Sequence, residues 1–452
     1  MVLSMAALAV LMKSGDDERQ AFLTWLFSLE NAGIKLGLEN MRELMRRLCN
    51  PEHDYTTLHV TGTNGKGSVC TFLASALESQ GYKTALYTSP HLVDFEERIS
   101  INGKQIDRAE MMDIAMEVKE AAEGMLEGEK RLTFFEFTTA MAFLYFSKKK
   151  VDAAVVEVGL GGRLDATNVV MPLLSIITHL ELEHTAYLGN TIGEIAFEKG
   201  GIIKEGVPLV THEGKEEALS VLRKLCKERN SELICNGRLA SAVERENRWG
   251  TLVVNIEGEN TYTDVKSALW GSLQKENIET AVTALEQAGK RGLYLADKDI
   301  RNGIERAFLP GRLQIAAGRK EVLFDVGHNP DAFDALSISL SKVCDEKLPV
   351  LLGVLSDKNI AKMMPPLSRI ASKVICTSPR SPRAFPADVI KKEAEKCGIT
   401  TSIADSVADG MEMLEEEEGK RAIVTGSFRT VGEAMLWWRD KYGKELWKRE
   451  RT

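Results

Sequence analysis

The chain has 452 residues, 44% of them hydrophobic and 27% charged, with a formal net charge of -8 at pH 7. That length suits two or three domains with ample core, and an acidic balance without an extended basic segment excludes nucleic acid as an expected partner, although a charged ligand can still meet a local basic pocket. The seven cysteines (Cys49, Cys70, Cys226, Cys235, Cys344, Cys376 and Cys397) are odd in number, scattered and free of C-x-x-C spacing, which is the usage of a reduced, cytoplasmic protein.

Residues 1–12 are apolar but lack a basic n-region, are short for a membrane span and run into a polar stretch without a clean cleavage site. They are read as an additional N-terminal segment, and no membrane association is expected. Residues 16–29 place Phe22, Trp25, Leu26 and Leu29 on one helical face with Gly33 as the stop, and residues 39–48 repeat the pattern.

Residues 56–77 organise the chain. A β-rich run, Leu58 to Val60, enters a turn with Gly62, Gly65 and Gly67, and a helical pattern leaves it with Val69, Phe72, Leu73, Ala76 and Leu77. Backbone N–H groups can surround a polyphosphate only where no Cβ obstructs the approach, and the helix N-terminus adds partial positive charge. Lys66 is placed to reach the distal phosphates and Ser68 to ligate the magnesium that accompanies ATP. The spacing is a variant of G-x-x-x-x-G-K-[ST]: Val60 replaces the first glycine, and Gly67 separates the lysine from the hydroxyl.

A short buried strand, 84–88, ends in Ser89-Pro90-His91-Leu92, which puts Ser89 at a carboxyl end where open α/β sheets bind ligands. Residues 133–147 are apolar enough for a buried helix whose aromatics serve the core. Residues 153–157 read as a central parallel strand delivering Glu157, and a carboxylate there is costly to bury unless it meets a cation. Gly159, Gly161 and Gly162 then allow a sharp turn before Arg163 and Asp165. Another buried strand, 173–178, leads to His184, and Thr191 with Glu194 three residues on marks a helix start. Residues 208–255 continue the alternation of strands and helices, and 258–260 read as a hairpin turn. After residues 309–312, short strands around Leu323, Leu351, Val374 and Ile423 alternate with helical patterns, giving a second, smaller sheet. The acidic run 415–418 is read as a solvated helix end.

The run G-T-N-G-K-G-S at 62–68 resembles the Mur ligase superfamily and, within it, the folylpolyglutamate synthase and dihydrofolate synthase family. The rest of the series agrees: S-P-H-L from Ser89, T-F-F-E from Thr133, E-V-G-L-G-G-R-L-D-A-T-N from Glu157, E-K-G-G-I-I-K from Glu198, and F-D-V-G-H-N-P from Phe324. The resemblance implies an α/β fold, with an N-terminal P-loop-type Mur ligase central domain over 1–309 and a smaller C-terminal Rossmann-like domain over 310–452. It implies ATP held by Gly62, Thr63, Asn64, Gly65, Lys66, Gly67 and Ser68, with Gln274 and Asn277 at adenine and Arg312 and Asp325 reaching across the domain cleft; a helix cap is the other reading of Gln274 and Asn277.

Two magnesium ions are implied, one at Ser68, Ser89 and Glu157 and one at Glu157, His184 and a carbamylated Lys199. Residues alone would make Lys199 an ordinary solvated helix lysine. Pro90, His91, Arg98, Phe134, Glu136, Arg163, Asp165 and His328 are implied at the substrates, a folate-type pterin and L-glutamate. A monomer is expected. Leu273 stands where the family's G-x-H-Q-x-x-N has histidine, and Glu183 where an aspartate is usual. Three functions are carried forward: extension of a folate's glutamyl tail, addition of the first glutamate to dihydropteroate, and a nucleotide-dependent switch without an acceptor.

Overall fold

The computed structural model describes residues 15–29, 37–126, 131–235 and 238–448. The expectations for residues 1–12 and Gly33 lie outside these.

The N-terminal sheet has strands β1 (Thr56–Thr61), β2 (Thr84–Tyr87), β3 (Ile99–Ile101), β4 (Lys104–Gln105), β5 (Ala153–Glu157), β6 (Leu174–Ile177), β7 (Leu209–Thr211) and β8 (Leu233–Ile234), in the order β4-β3-β2-β5-β1-β6-β7-β8. The strands from β2 to β8 across the sheet pair in parallel, and β3 and β4 add an antiparallel edge. β5 is buried at every position, as a strand covered on both faces must be. The carboxyl ends of β5, β1 and β6 are adjacent, so Glu157, the 62–68 loop and the segment from Thr178 to His184 converge at one edge.

Five helices matter here: α1 (Gly15–Ser28), α2 (Lys66–Gln80), α3 (Phe134–Lys148), α4 (Ile192–Gly200) and α5 (Gln274–Gly289). α2 buries Val69, Phe72, Leu73, Ala76 and Leu77 completely. Each of the four larger side chains contributes roughly 1.5–3 kcal/mol and Ala76 less, so this helix is fixed by packing rather than by propensity. A further helix, α6 (Asp297–Arg306), crosses it so closely that a Cβ on Gly303 would lie 2.4 Å from the Ala76 Cα. The antiparallel sheet β9 (Ser241–Arg248), β10 (Thr251–Glu257) and β11 (Thr261–Ser267) turns at 258–260 as anticipated and drives Leu252, Val254 and Ile256 into the same core.

The C-terminal sheet has β12 (Gln314–Ala317), β13 (Glu321–Phe324), β14 (Leu348–Leu352), β15 (Ala371–Cys376), β16 (Thr400–Ile403) and β17 (Arg421–Thr425), ordered β12-β13-β17-β14-β15-β16 and parallel except for β12. β12 and β16 had not been anticipated; both are short edge strands with weak patterning. Its helices include α7 (Pro330–Ser341), α8 (Val407–Glu416) and α9 (Phe428–Tyr442). The acidic run differs from expectation at two of its four residues: Glu415 is buried, accepting a hydrogen bond from the Tyr442 hydroxyl and pairing with Lys441 at 3.0 Å, and Glu417 pairs with Lys373 at 2.5 Å, while Glu416 and Glu418 are exposed as anticipated. The charges of Glu415 and Glu417 are met by partners distant in sequence. All seven cysteines are free, and no described helix is long and apolar enough to cross a membrane.

Candidate active site

The 62–68 loop is shaped by glycine where shape matters most. Gly62 has φ +155°, and a Cβ there would fall 1.8 Å from the Thr178 hydroxyl; Gly65 has φ +88°, and its Cβ would fall 2.3 Å from Asn277 Oδ1. The loop is tied to the end of β6: Thr63 N–H donates to the His179 carbonyl at 2.8 Å and the Thr178 hydroxyl to the Asn64 carbonyl at 2.7 Å. Lys66 Nζ donates to the carbonyls of Gly62 and Thr63 at 3.0 and 3.2 Å.

Lys199, near the end of α4, is buried and donates to the same Gly62 carbonyl at 2.7 Å. Burial, aided by the charge of Lys66 and opposed by Glu183 and Asp165, pushes its amine down to about 7. The expectation of a solvated lysine from residues alone is therefore overturned. α4 starts at the anticipated Thr191–Glu194 capping box.

Glu157 is buried at the end of β5 and accepts the Ser89 N–H at 3.1 Å. Burial raises its pKa against the opposing charges of Lys66, Arg312 and Arg98. Ser68, Ser89 and Glu157 offer hydroxyl and carboxylate oxygens, a donor set that fits a hard divalent cation. His184 lies at φ +52° on the exposed rim, within the field of Glu183, Lys358, Lys199 and Lys66.

From α5, Gln274 Nε2 donates to the Ser68 hydroxyl at 3.2 Å and Asn277 Nδ2 to Gln274 Oε1 at 3.1 Å. Neither is the side-chain cap of α5, whose N-cap position is Leu273. Both line a cleft that continues past Trp270, Leu273, Leu313 and the α7 residues Ala335 and Leu336 to Arg312 and Asp325. Asp325 is buried, its pKa raised by burial, and it accepts the N–H groups of Gly327 and Leu313 at 2.9 and 3.2 Å. Arg312 acts on both Asp325 and Glu157, which places its charge at the seam between the domains.

The second group of expected residues divides. Arg98 Nε donates to His91 Nδ1 at 2.8 Å and its guanidinium stands 5.2 Å from the Phe134 ring, which is stacked on Phe27 of α1. Pro90 follows a cis peptide bond and shares with Ser89, Glu157 and Arg312 the wall of a second cavity. Glu136 caps α3 by accepting from Thr133, and Asp165 accepts from Leu160 N–H and from the N–H and hydroxyl of Thr167. These two carboxylates hold the backbone in place. Arg163 forms a forked pair with Glu198 at 2.8–3.2 Å.

Three features were not read from the sequence. Glu183 draws three C-terminal residues to the N-terminal domain: Asn329 Nδ2 at 3.3 Å, His328 Nε2 at 3.6 Å and Lys358 Nζ at 3.9 Å. Burial raises its pKa, but the hydrogen bond and charge of His328, with Lys66 and His184, outweigh that and hold it well below the usual range. Phe428 stands 5.6 Å from the Arg312 guanidinium and 5.7 Å from the His328 ring. Asp331 of α7 accepts from Asn64 of the loop and lies beside His179 and Glu181, where Lys215 already neutralises Glu181 at 2.5 Å. Each is a contact between distant segments, so only the position next to His184 carried any local signal.

A glycine-shaped loop and an acid at neighbouring strand ends, closed over by a second α/β domain, define a two-domain enzyme that works on a nucleotide polyphosphate in an interdomain cleft. Residues 60–285 match the Mur ligase middle domain and residues 311–428 the Mur ligase glutamate ligase domain. A dihydrofolate synthase/folylpolyglutamate synthase of Bacillus subtilis is 35% identical over 418 residues, 91% of this chain and 96% of the relative. The crystal structure of folylpolyglutamate synthase from Thermotoga maritima is 36% identical, with a TM-score of 0.85 over 96% of this chain and 100% of that one. E. coli FolC in complex with DHPP and ADP is 30% identical, with a TM-score of 0.83 over 93% and 98%. The chain belongs to the folylpolyglutamate synthase/dihydrofolate synthase family of Mur ligases and is an ATP-dependent amino acid ligase.

Proposed function

We propose that the protein joins L-glutamate to a folate-type pterin at the expense of ATP, by way of an acyl phosphate. The observation that carries this reading is the convergence of Lys66, Lys199 and Glu157 at one strand edge, with Arg312 and Asp325 facing them from the second domain. A carboxylate is a poor acyl donor at neutral pH. In the first step its oxygen attacks the γ-phosphorus of ATP and ADP leaves; in the second the glutamate nitrogen attacks the acyl carbon and phosphate leaves.

Lys66 and Arg312 hold the charge that spreads over the moving phosphoryl group. Ser68, Ser89 and Glu157 would hold one magnesium ion, and Glu157, His184 and Lys199 a second, which supply Lewis-acid charge at the phosphate and acceptor oxygens. An amine brought down to about 7 has a large neutral fraction at physiological pH, which is the form that adds carbon dioxide, so Lys199 is suited to become a carbamate. Gln274, Asn277 and Asp325 line the nucleotide cleft, and His91, Arg98 and Phe134 form one wall of the acceptor site. Glu136, Arg163 and Asp165 support that region. His328 stands where the amino acid enters. Residues 1–309 and 310–452 are the working units, and their closure excludes water from the acyl phosphate.

The deciding experiment is ADP release with ATP and glutamate, with and without a reduced folate or dihydropteroate. Release that requires both glutamate and a pterin is expected, and mass spectrometry of the products separates tail extension from first addition. Release indifferent to acceptor and glutamate would instead favour a nucleotide switch.

A further inference from the structure

The segment that leaves β2 serves two places at once. It begins at Ser89, beside Glu157, and ends at Arg98, which is hydrogen bonded back to His91 against Phe134. Its middle belongs to the other domain. Leu92 is buried in the apolar cluster of the C-terminal domain with Val326, Val431 and Trp447. α9 meets it backbone to backbone, since a Cβ on Gly432 would lie 2.3 Å from the Leu92 carbonyl. Glu97 gathers the segment from within, taking the N–H groups of Leu92, Val93 and Asp94 at 2.8, 2.7 and 2.7 Å.

The outer fastening is Trp447, beyond the last helix. Its ring is buried, and its Nε1–H donates to Asp94 Oδ2 at 2.9 Å. The stretch of chain that carries it is held to the C-terminal domain by Gln314 Nε2 on the Leu446 carbonyl at 2.8 Å, and to the N-terminal sheet by Gln105 Nε2 on the Trp447 carbonyl at 3.5 Å. A hydrogen bond to a charged group is among the stronger single contacts available to a protein, and this part-buried one, on a carboxylate that also pairs with Arg19 at 3.8 Å, joins the C-terminal end of the described chain to the loop bearing His91 and Arg98.

We propose that Trp447 is a positioning residue for the acceptor site: through Asp94 it sets the 89–98 segment, and with it His91 and Arg98, relative to the C-terminal domain. The inference rests on the function proposed above for the meaning of that site. Trp447→Phe keeps an aromatic ring at the buried position and removes the donor together with part of the indole volume. Its expected effect is a rise of about fivefold in the acceptor KM, with the ATP KM and kcat within twofold of wild type; Asp94→Ala should raise the acceptor KM at least as much, since it also removes the pair with Arg19 at 3.8 Å and the cap of residues 95–98. The double variant should be no worse than Asp94→Ala alone, because that substitution already removes the bond that Trp447→Phe removes. Hydrogen exchange supplies a readout independent of turnover: amides 92–97 should exchange about fivefold faster in Trp447→Phe while those of β5 are unchanged. An unchanged acceptor KM with unchanged exchange at 92–97, or additive effects in the double variant, would overturn the proposal. Wild-type protein that shows no acceptor-dependent ADP release overturns the proposed function instead, and the exchange measurement then decides the clasp alone.

Discussion

Replacing Lys199 by methionine separates what this residue costs the fold from what it does for the reaction. The lysine is buried, and its amine is lowered from 10.5 to about 7, chiefly by desolvation. An amine whose native pKa lies below its unfolded value binds fewer protons in the folded state. Its penalty is therefore complete below pH 7, declines as pH rises from 7 to 10.5, and vanishes above. Over 3.5 units, the difference of the two values, the penalty is about 5 kcal/mol at about 1.4 kcal/mol per unit. Methionine of similar length removes it. The lost bond to the Gly62 carbonyl returns about 1 kcal/mol, and that oxygen is not orphaned because Lys66 also donates to it. The variant should therefore be the more stable protein near pH 7 by several kcal/mol, with an advantage that shrinks by about 1.4 kcal/mol per unit between pH 7.5 and 10. Urea unfolding across that range measures the slope. Turnover in the same variant should fall by at least a hundredfold. A stability difference independent of pH would refute the buried-amine argument, and near-normal turnover would refute the metal-bridging role.

Other substitutions probe the remaining parts. Lys66→Ala should lower acyl-phosphate formation at least a hundredfold in single-turnover measurements if, as proposed, its cation meets the developing phosphoryl charge; a rate within threefold of wild type would remove it from the reaction. Glu157→Gln should raise the magnesium requirement tenfold or more, and a magnesium titration of turnover that superimposes on wild type would exclude it as a ligand. Since burial raises the Glu157 pKa, its ionisation costs stability as pH rises above 4.5 through the native value, and the amide should remove that dependence. Glu183→Gln should destabilise the protein by about 2 kcal/mol at pH 7 by loosening His328 and Lys358. Because the Glu183 pKa is depressed, its contribution is present above pH 4.5 and lost as pH falls through the lowered native value; unfolding curves of the variant at pH 7 and pH 4 should differ less than those of wild type.

Much of the scaffold was legible because it is written in local pattern. The strand, glycine turn and helix of 56–77, the central strand 153–157 and the Thr191–Glu194 capping box all follow from periodicity and cap chemistry within a few residues. Short edge strands such as β12 and β16 escaped because their stability comes from the neighbour they pair with. Glu415 misled for the same reason: it is paired with Lys441 and hydrogen bonded by Tyr442, which no local pattern connects to it.

The sequence by itself determined the motifs and their chemical character: a phosphate loop, an acid at a strand end, an amine on a helix, each dictated by covalent neighbours and short-range geometry. Tertiary structure alone decided which carboxylates are occupied by backbone, as Glu136 and Asp165 are, and which draw the two domains together, as Glu183 does. It also decided the charge of Lys199, since an amine's pKa depends on how much water surrounds it. That is set by segments brought together from across the chain, which a linear reading does not weigh.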